Sequence, residues 1–313
     1  MAKYLAKRLL RSVLTLMVIL SIVFVLVRQM PIDGYFPNFE KLSEEQIQNG
    51  LHQMGMDRPL IAQLLSFFGD LLHGNLGISR IYRTNVPVTE ILGPKIPVSV
   101  RLGVFSLLLS MIVGLPMGTM MARHKNGLFD HIVTGFIVLI EAVPAAVYYL
   151  FIQIYGTDLL HVSMLYDASR PETMILPVVS MALGNIAYYA MWLRRYMVDE
   201  SNKDYVMLAR IKGCGENRIM FRHIFRNAFV PMAQYLPTSF LNTVIGSIYI
   251  ESLYSIPGMG GLLVDVIKRQ DNAMIQAIVL LYASVGVIGL LLGDLLMVFL
   301  DPRISFSKKG GDR

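Results

Sequence analysis

Six apolar runs, each close to or longer than the roughly 20 residues a helix needs to cross a bilayer core, limit what this chain can become. They cover residues 9–27, 102–121, 132–154, 173–193, 229–250 and 273–300. None alternates apolar with polar residues, and a lone strand cannot satisfy its backbone in lipid, so the runs are read as helices. The expected fold is all-α: a polytopic membrane bundle of six transmembrane helices. A hydrophobic content of 54% with mean hydropathy +0.54 excludes an ordinary soluble domain.

Lys and Arg in the short connections orient the bundle. Eighteen lie at the front of the first run up to Arg11, between the second and third, in the 194–231 interval and after the sixth. Only Arg170, Lys268 and Arg269 lie in the two short loops of the other side. Both termini are therefore expected in the cytoplasm. The first run has the basic front of a signal peptide, but Arg28-Gln29-Met30-Pro31 offers no small-residue cleavage site, so it is read as a retained span. A net charge of +6 and pI near 9.3 come mainly from these loops, and no basic stripe interleaved with aromatics suggests nucleic acid. Cys214 is the single cysteine and six histidines are scattered, so neither an internal disulfide nor a metal site is expected.

Residues 194–231 form the polar interval where function is sought first. Asp204 is placed to cap a short helix over 204–212 whose apolar residues, Tyr205, Val206, Leu208, Ala209 and Ile211, are expected to fall largely on one side, and Gly213 to end it. So short a helix does not recover its nucleation cost alone and needs a surface. A second helical stretch, 216–229, leads into the fifth run, which makes the pair a lever.

These residues resemble the EAA loop of bacterial ABC-importer permeases, in the wording of the oligopeptide/dipeptide permease family. The match runs through Asp204-Tyr205-Val206, Ala209-Arg210-Ile211-Lys212-Gly213, His223, Arg226-Asn227-Ala228 and Pro231, with Met207-Leu208-Ala209 where the general motif has Glu-Ala-Ala. Gly55-Met56-Asp57-Arg58-Pro59-Leu60, Gly74-Asn75-Leu76-Gly77-Ile78-Ser79 and Pro257-Gly258-Met259-Gly260 follow the same family. The resemblance implies the MetI-like permease fold and a bacterial inner (plasma) membrane location. It implies as partners a homologous second permease, two ATPase subunits and an extracytoplasmic solute-binding protein, beside membrane lipid. It also implies that Asp204, Tyr205, Val206, Leu208, Ala209, Arg210, Lys212 and Gly213 form a coupling helix seated in the ATPase. This chain is expected to hold no cofactor, because it has no Gly-x-x-x-x-Gly-Lys-Ser/Thr loop; ATP and Mg belong to the partners. Three regions result: 1–27, the tail and first span; 28–97, an extracytoplasmic loop with amphipathic helices; and 98–313, a five-helix core.

Polar groups inside spans are costly and mark candidate path residues. Glu141, before Pro144, either puts a negative charge on the path or is a buried acid paired with a Tyr hydroxyl or Arg101. Asn185, Gln234, Asn242 and Gln276 are weaker candidates, each equally suited to an interhelical hydrogen bond. Glu251 with Pro257, Gly258 and Gly260 is an outer gate or a plain turn. In the long loop, Ser43 and Gln46 form a capping box, and Asp57-Arg58-Pro59 opens a second amphipathic helix ending before Gly74. This segment either braces the spans or docks a binding protein. No Gly-x-Ser-x-Gly or His-Glu-x-x-His occurs, which argues against a hydrolase, and the halves lack matched broken helices, which argues against a secondary transporter. A nickel, metallophore or other small-solute importer shares the architecture and stays open as the alternative to a peptide importer.

Overall fold

A computed structural model describes residues 2–244 and 248–300. The described chain is helical almost throughout: α1 (Ala2–Arg28), α2 (Glu44–Gln53), α3 (Leu60–Leu72), α4 (Val88–Leu92), α5 (Ile96–Arg123), α6 (Leu128–Ala142), α7 (Ala145–Leu160), α8 (Ile175–Ser201), α9 (Asp204–Ile211), α10 (Glu216–Arg218), α11 (Arg226–Val244), α12 (Ile248–Leu253), α13 (Met259–Lys268) and α14 (Asn272–Leu300). A π-helical stretch, Ile219–Phe225, joins α10 to α11 without a break. One antiparallel ladder, Ile78–Ser79 with Val86–Pro87, lies in the long loop.

Among the described residues four helices are long and apolar enough to cross a membrane, within α1, α5, α8 and α14. The third run is not one straight span: α6 and α7 meet at 107° across Val143 and Pro144. The break has a local cause, since proline disfavours helical backbone in the residue before it and Val143 is extended (φ −86°, ψ 129°). Counting that pair as one span gives five. The fifth expected run, 229–250, falls on α11, whose Asn227, Gln234, Pro231 and Pro237 lower its hydropathy, on residues 245–247, outside those described, and on the start of α12. Residues 301–313, with the terminal charges used above for orientation, also lie outside them.

Helix α5 lies along α8, and small residues set their separation. A Cβ at Gly118 would lie 2.6 Å from the carbonyl oxygen of Ala190, and one at Gly114 would lie 3.0 Å from that of Ile186. The α11/α14 contact is built alike: a Cβ at Gly293 would meet the Gln234 carbonyl oxygen at 2.4 Å. In an apolar medium such backbone approach, not hydrophobic exclusion, draws helices together. Polar ties reinforce it. Asp130 at the start of α6 takes a two-pronged ion pair from Arg194 of α8 (2.5 and 2.6 Å). Near the far end of α14, Asp294 pairs with Arg8 of α1 and accepts from Gln234 of α11 at 3.2 Å.

The 28–97 segment follows its capping signals. Ser43 caps α2 reciprocally with Gln46, and Gly55 after its end takes φ +65°. Pro59 precedes α3, and Gly74 follows it at φ +73°. Helix α3 leans on α1 through Phe67 against Phe24, with ring centroids 5.1 Å apart. Its Ile61, Leu65 and Leu72 stay uncovered.

The α5/α8 seam yields a stability prediction. Gly118→Val pushes a side chain into fixed backbone and should cost about 1–3 kcal/mol, as overpacking does. Gly135, with nothing within 4 Å of an added Cβ, is the control site. Thermal unfolding in detergent followed by tyrosine and tryptophan fluorescence should show a lower midpoint for Gly118→Val and none for Gly135→Ala.

Candidate functional site: a two-faced helix and three buried carboxylates

Helix α9 begins one residue earlier in its turn than its composition suggests. The N-cap is Lys203, extended and without a side-chain capping bond, and Asp204 is the first helical residue. Asp204 therefore acts on the first turn through its charge rather than as a cap. Lys212 is likewise the C-cap and not part of the helix, which is eight residues long. The far end is as expected. Gly213 sits at φ +75°, its N–H reaches Arg210 O (2.9 Å), and the Cys214 N–H reaches Ala209 O (3.1 Å), which is a Schellman closure. Exposed Arg210 and Glu216 pair at 3.0 Å across the turn into α10, a contact of about 0–1 kcal/mol.

The apolar residues of α9 do not share one side. Val206 (0% exposed) and Ala209 (7%) point into a cluster with Leu193 and Met197 of α8, Ile219 and Ile224 of the π stretch, and Ala228 and Met232 of α11. Met207 (65%), Leu208 (51%) and Ile211 (73%) point outward and uncovered. At 100° per residue, 206 and 209 lie together on one side, and 207, 208 and 211 on another. Tyr205 donates to Glu200 at 2.5 Å, and burial with that carboxylate pushes its hydroxyl up to about 12. The helix is thus fastened to α8 and α11 by one face and presents a second apolar face to whatever lies beyond the chain.

The other candidates fall at separate places. Glu141 lies in the last turn of α6, three residues before the break, exposed and with no hydrogen bond or ion pair among the described residues. The buried-acid alternative, with a Tyr hydroxyl or Arg101 as partner, is not what the structure has: Glu141 is exposed in the last turn before the bend between α6 and α7. Asn185 is half-buried on α8, and Gln234 donates to Asp294. The side chain of Asn242 lies outside the described residues.

Glu251 is fully buried on α12. Its Oε2 accepts from the Gly260 and Gly261 N–H groups (2.6 and 3.2 Å), its Oε1 from Ser99 Oγ (2.6 Å), and Ser99 in turn accepts from the Met259 N–H (2.8 Å). The carboxylate satisfies the otherwise unpaired first turn of α13. Glycine is needed here for closeness: a Cβ at Gly258 would meet Glu251 Oε2 at 2.4 Å, and one at Gly260 would meet Ile248 Cα at 2.7 Å. Pro257 precedes this corner.

Asp271 was missed from sequence. It is fully buried at the start of α14, accepts there from the Met274 N–H (3.2 Å), and turns its Oδ2 toward the long loop. That oxygen takes Ser79 Oγ (2.7 Å) and the N–H groups of Arg80, Ile81 and Tyr82 (3.1, 2.9 and 2.9 Å). Asp-Asn just before a long apolar run is an N-cap signal, and it was legible. The loop partner 190 residues away was not.

Comparison with known proteins follows this geometry. A family model described as "Binding-protein-dependent transport system inner membrane component" matches residues 114–306, and one for the N-terminal part of such membrane components matches 1–102. The chain is 34% identical to the dipeptide transport system permease protein DppB of Lactococcus lactis subsp. cremoris over 97% of its length and 99% of that protein's. It is 32% identical to the Bacillus subtilis protein of the same name over 99% of its length and all of the relative's. To the oligopeptide transport system permease protein OppB of Salmonella typhimurium it is 28% identical over 98% of its length and all of the relative's. A crystal structure of an amino acid ABC transporter superposes with TM-score 0.50 at 17% identity, covering 69% of this chain and 95% of that one, a likeness of fold.

The Asp271 clamp is testable. Asp271→Ala leaves a buried hydroxyl and three half-buried N–H groups without their acceptor, so a loss of about 2–3 kcal/mol is expected. Limited proteolysis should cut between residues 79 and 87 at least tenfold faster, while cleavage near α9 stays unchanged.

Proposed function

The chain belongs to the family of inner membrane components of binding-protein-dependent transport systems, and from that membership we propose that it is one permease half of an ATP-driven importer of dipeptides or oligopeptides. The full-length similarity to dipeptide and oligopeptide permeases supports the substrate class. In this reading a second, homologous permease completes the path, a solute-binding protein delivers the peptide, and two ATPase subunits bind ATP and Mg.

One observation carries the reading: the second apolar face of α9. Met207, Leu208 and Ile211 are uncovered on a short helix whose other face is locked into the chain. We assign that face to the ATPase. A push on α9 reaches α8 through Leu193 and Met197, and α11 through the π stretch, because Val206 and Ala209 are packed among those residues. The transport step is then a displacement of α8 and α11 relative to the rest of the bundle.

For the path itself, Glu141 and Asn185 carry the proposal furthest, since Gln234 already donates to Asp294. Glu141 stands free at a helix break, where a carboxylate can meet a peptide amino terminus. The corner built on Glu251, Pro257, Gly258 and Gly260 serves as a stiff outer gate element, its first turn held by a buried acid.

Leu208→Asp combined with Ile211→Asp should lower ATPase co-purification and peptide uptake about tenfold or more while membrane levels stay normal, as removal of a central apolar anchor does at an interface. Gly213→Pro should act similarly, because it fixes φ near −65° and removes the N–H that closes the helix. A charge at Ala209 should instead unseat α9 from its own core and lower the amount of folded protein. Uptake at the normal rate in the double variant would overturn the assignment of this face.

A further inference from the structure

At the end of the bundle remote from α9, a cavity of about 400 Å³ opens between the last turn of α1, the first turns of α14 and the α2/α3 segment. That is the size of an ordinary ligand cleft. Its lining combines apolar groups, Phe24 of α1, Phe67 of α3 and Leu280 of α14, with the cationic Arg28, Arg58 and Arg80. Asp70 is the one acid in the lining, so three guanidiniums face one carboxylate.

None of the three arginines has a carboxylate partner among the described residues. Arg28 is stacked 4.9 Å over Phe24 and 5.6 Å over Tyr35, and donates to the Tyr35 hydroxyl at 3.3 Å.

Position narrows the ligand. The cavity lies at the membrane end of two spans, α1 and α14, and beside α3, whose Ile61, Leu65 and Leu72 are uncovered. A helix with such a face lies in the boundary between headgroups and acyl chains. Guanidinium groups match phosphate oxygens in pairs. We propose that this cavity is a phospholipid site: Arg28, Arg58 and Arg80 hold the headgroup phosphate, and the acyl chains leave past Phe24 and Leu280. The lipid then joins the 28–97 segment to the spans, as a further fastening beside the Asp271 clamp and the Phe24/Phe67 contact. It is independent of what the protein transports.

The test compares full-length protein purified from membranes in mild detergent as wild type, as Arg58→Gln/Arg80→Gln, and as Arg170→Gln/Lys268→Gln, which loses the same charge elsewhere. Retained phospholipid is counted by native mass spectrometry, and thermal midpoints are read with vesicles of phosphatidylglycerol and phosphatidylethanolamine or with inorganic phosphate. The expected result is one tightly held phospholipid in the wild type and the control, a severalfold loss of it in the cavity variant, and vesicle stabilisation that the cavity variant lacks. Equal retention in all variants overturns the site. Stabilisation by millimolar phosphate equal to that by vesicles overturns the lipid as its occupant.

Discussion

Polar groups withdrawn into this bundle need partners inside the chain, because lipid offers none, and three buried acids meet part of that demand. Asp130 neutralises Arg194 where α6 meets α8, Glu251 takes the open first turn of α13, and Asp271 gathers three successive N–H groups of the long loop. Each does for a helix end or a turn what water does in a soluble protein. The glycines follow from them: Gly258 and Gly260 are small so that Glu251 can come within bonding distance, and Gly34 is small because a Cβ would lie 2.5 Å from Asn272 Oδ1. Removing any one acid would therefore free a segment rather than a single contact.

The end that carries α9 is built on the opposite logic. There the polar groups are satisfied by solvent, and what is scarce is apolar cover. Helix α9 has too few residues to stand alone, so Val206 and Ala209 hold it against α8 and α11, and the Schellman closure at Gly213 stops it where the chain must turn. The same brevity forces Met207, Leu208 and Ile211 outward, since one short helix cannot bury two faces in one core. A helix anchored on one side and apolar on the other suits a joint between two bodies.

Much of this was legible in advance, for reasons that differ by element. Long apolar runs declare helices by length, and α1, α5, α8 and α14 appear where they were expected. The Ser43/Gln46 box and the positive φ of Gly213 are local, so adjacent residues suffice to read them. The 107° break was half visible: Pro144 announced an interruption, but its angle is decided by packing. Which side of α9 faces inward was not legible, because both sides are apolar and only the neighbours decide. Glu141 shows the same limit, since its surroundings follow from that angle. The tight α5/α8 seam was readable from Gly114-Leu115-Pro116-Met117-Gly118, a small-residue pair at helical spacing that went unused. Asp271 holding residues 79–82 joins distant parts of the chain, and nothing near it in sequence names its partner.

The π stretch at Ile219–Phe225 has a consequence for how the helix is numbered around its axis. Hydrogen bonds that skip one residue further take up surplus chain without breaking the helix. One surplus residue corresponds to about 100° of α-helical rotation. An uninterrupted α-helix from Glu216 would carry Ala228 and Met232 past the core they now face. The stretch is an angular offset between the loop and α11, and a single insertion or deletion within it would re-aim every side chain downstream while the helix stayed whole.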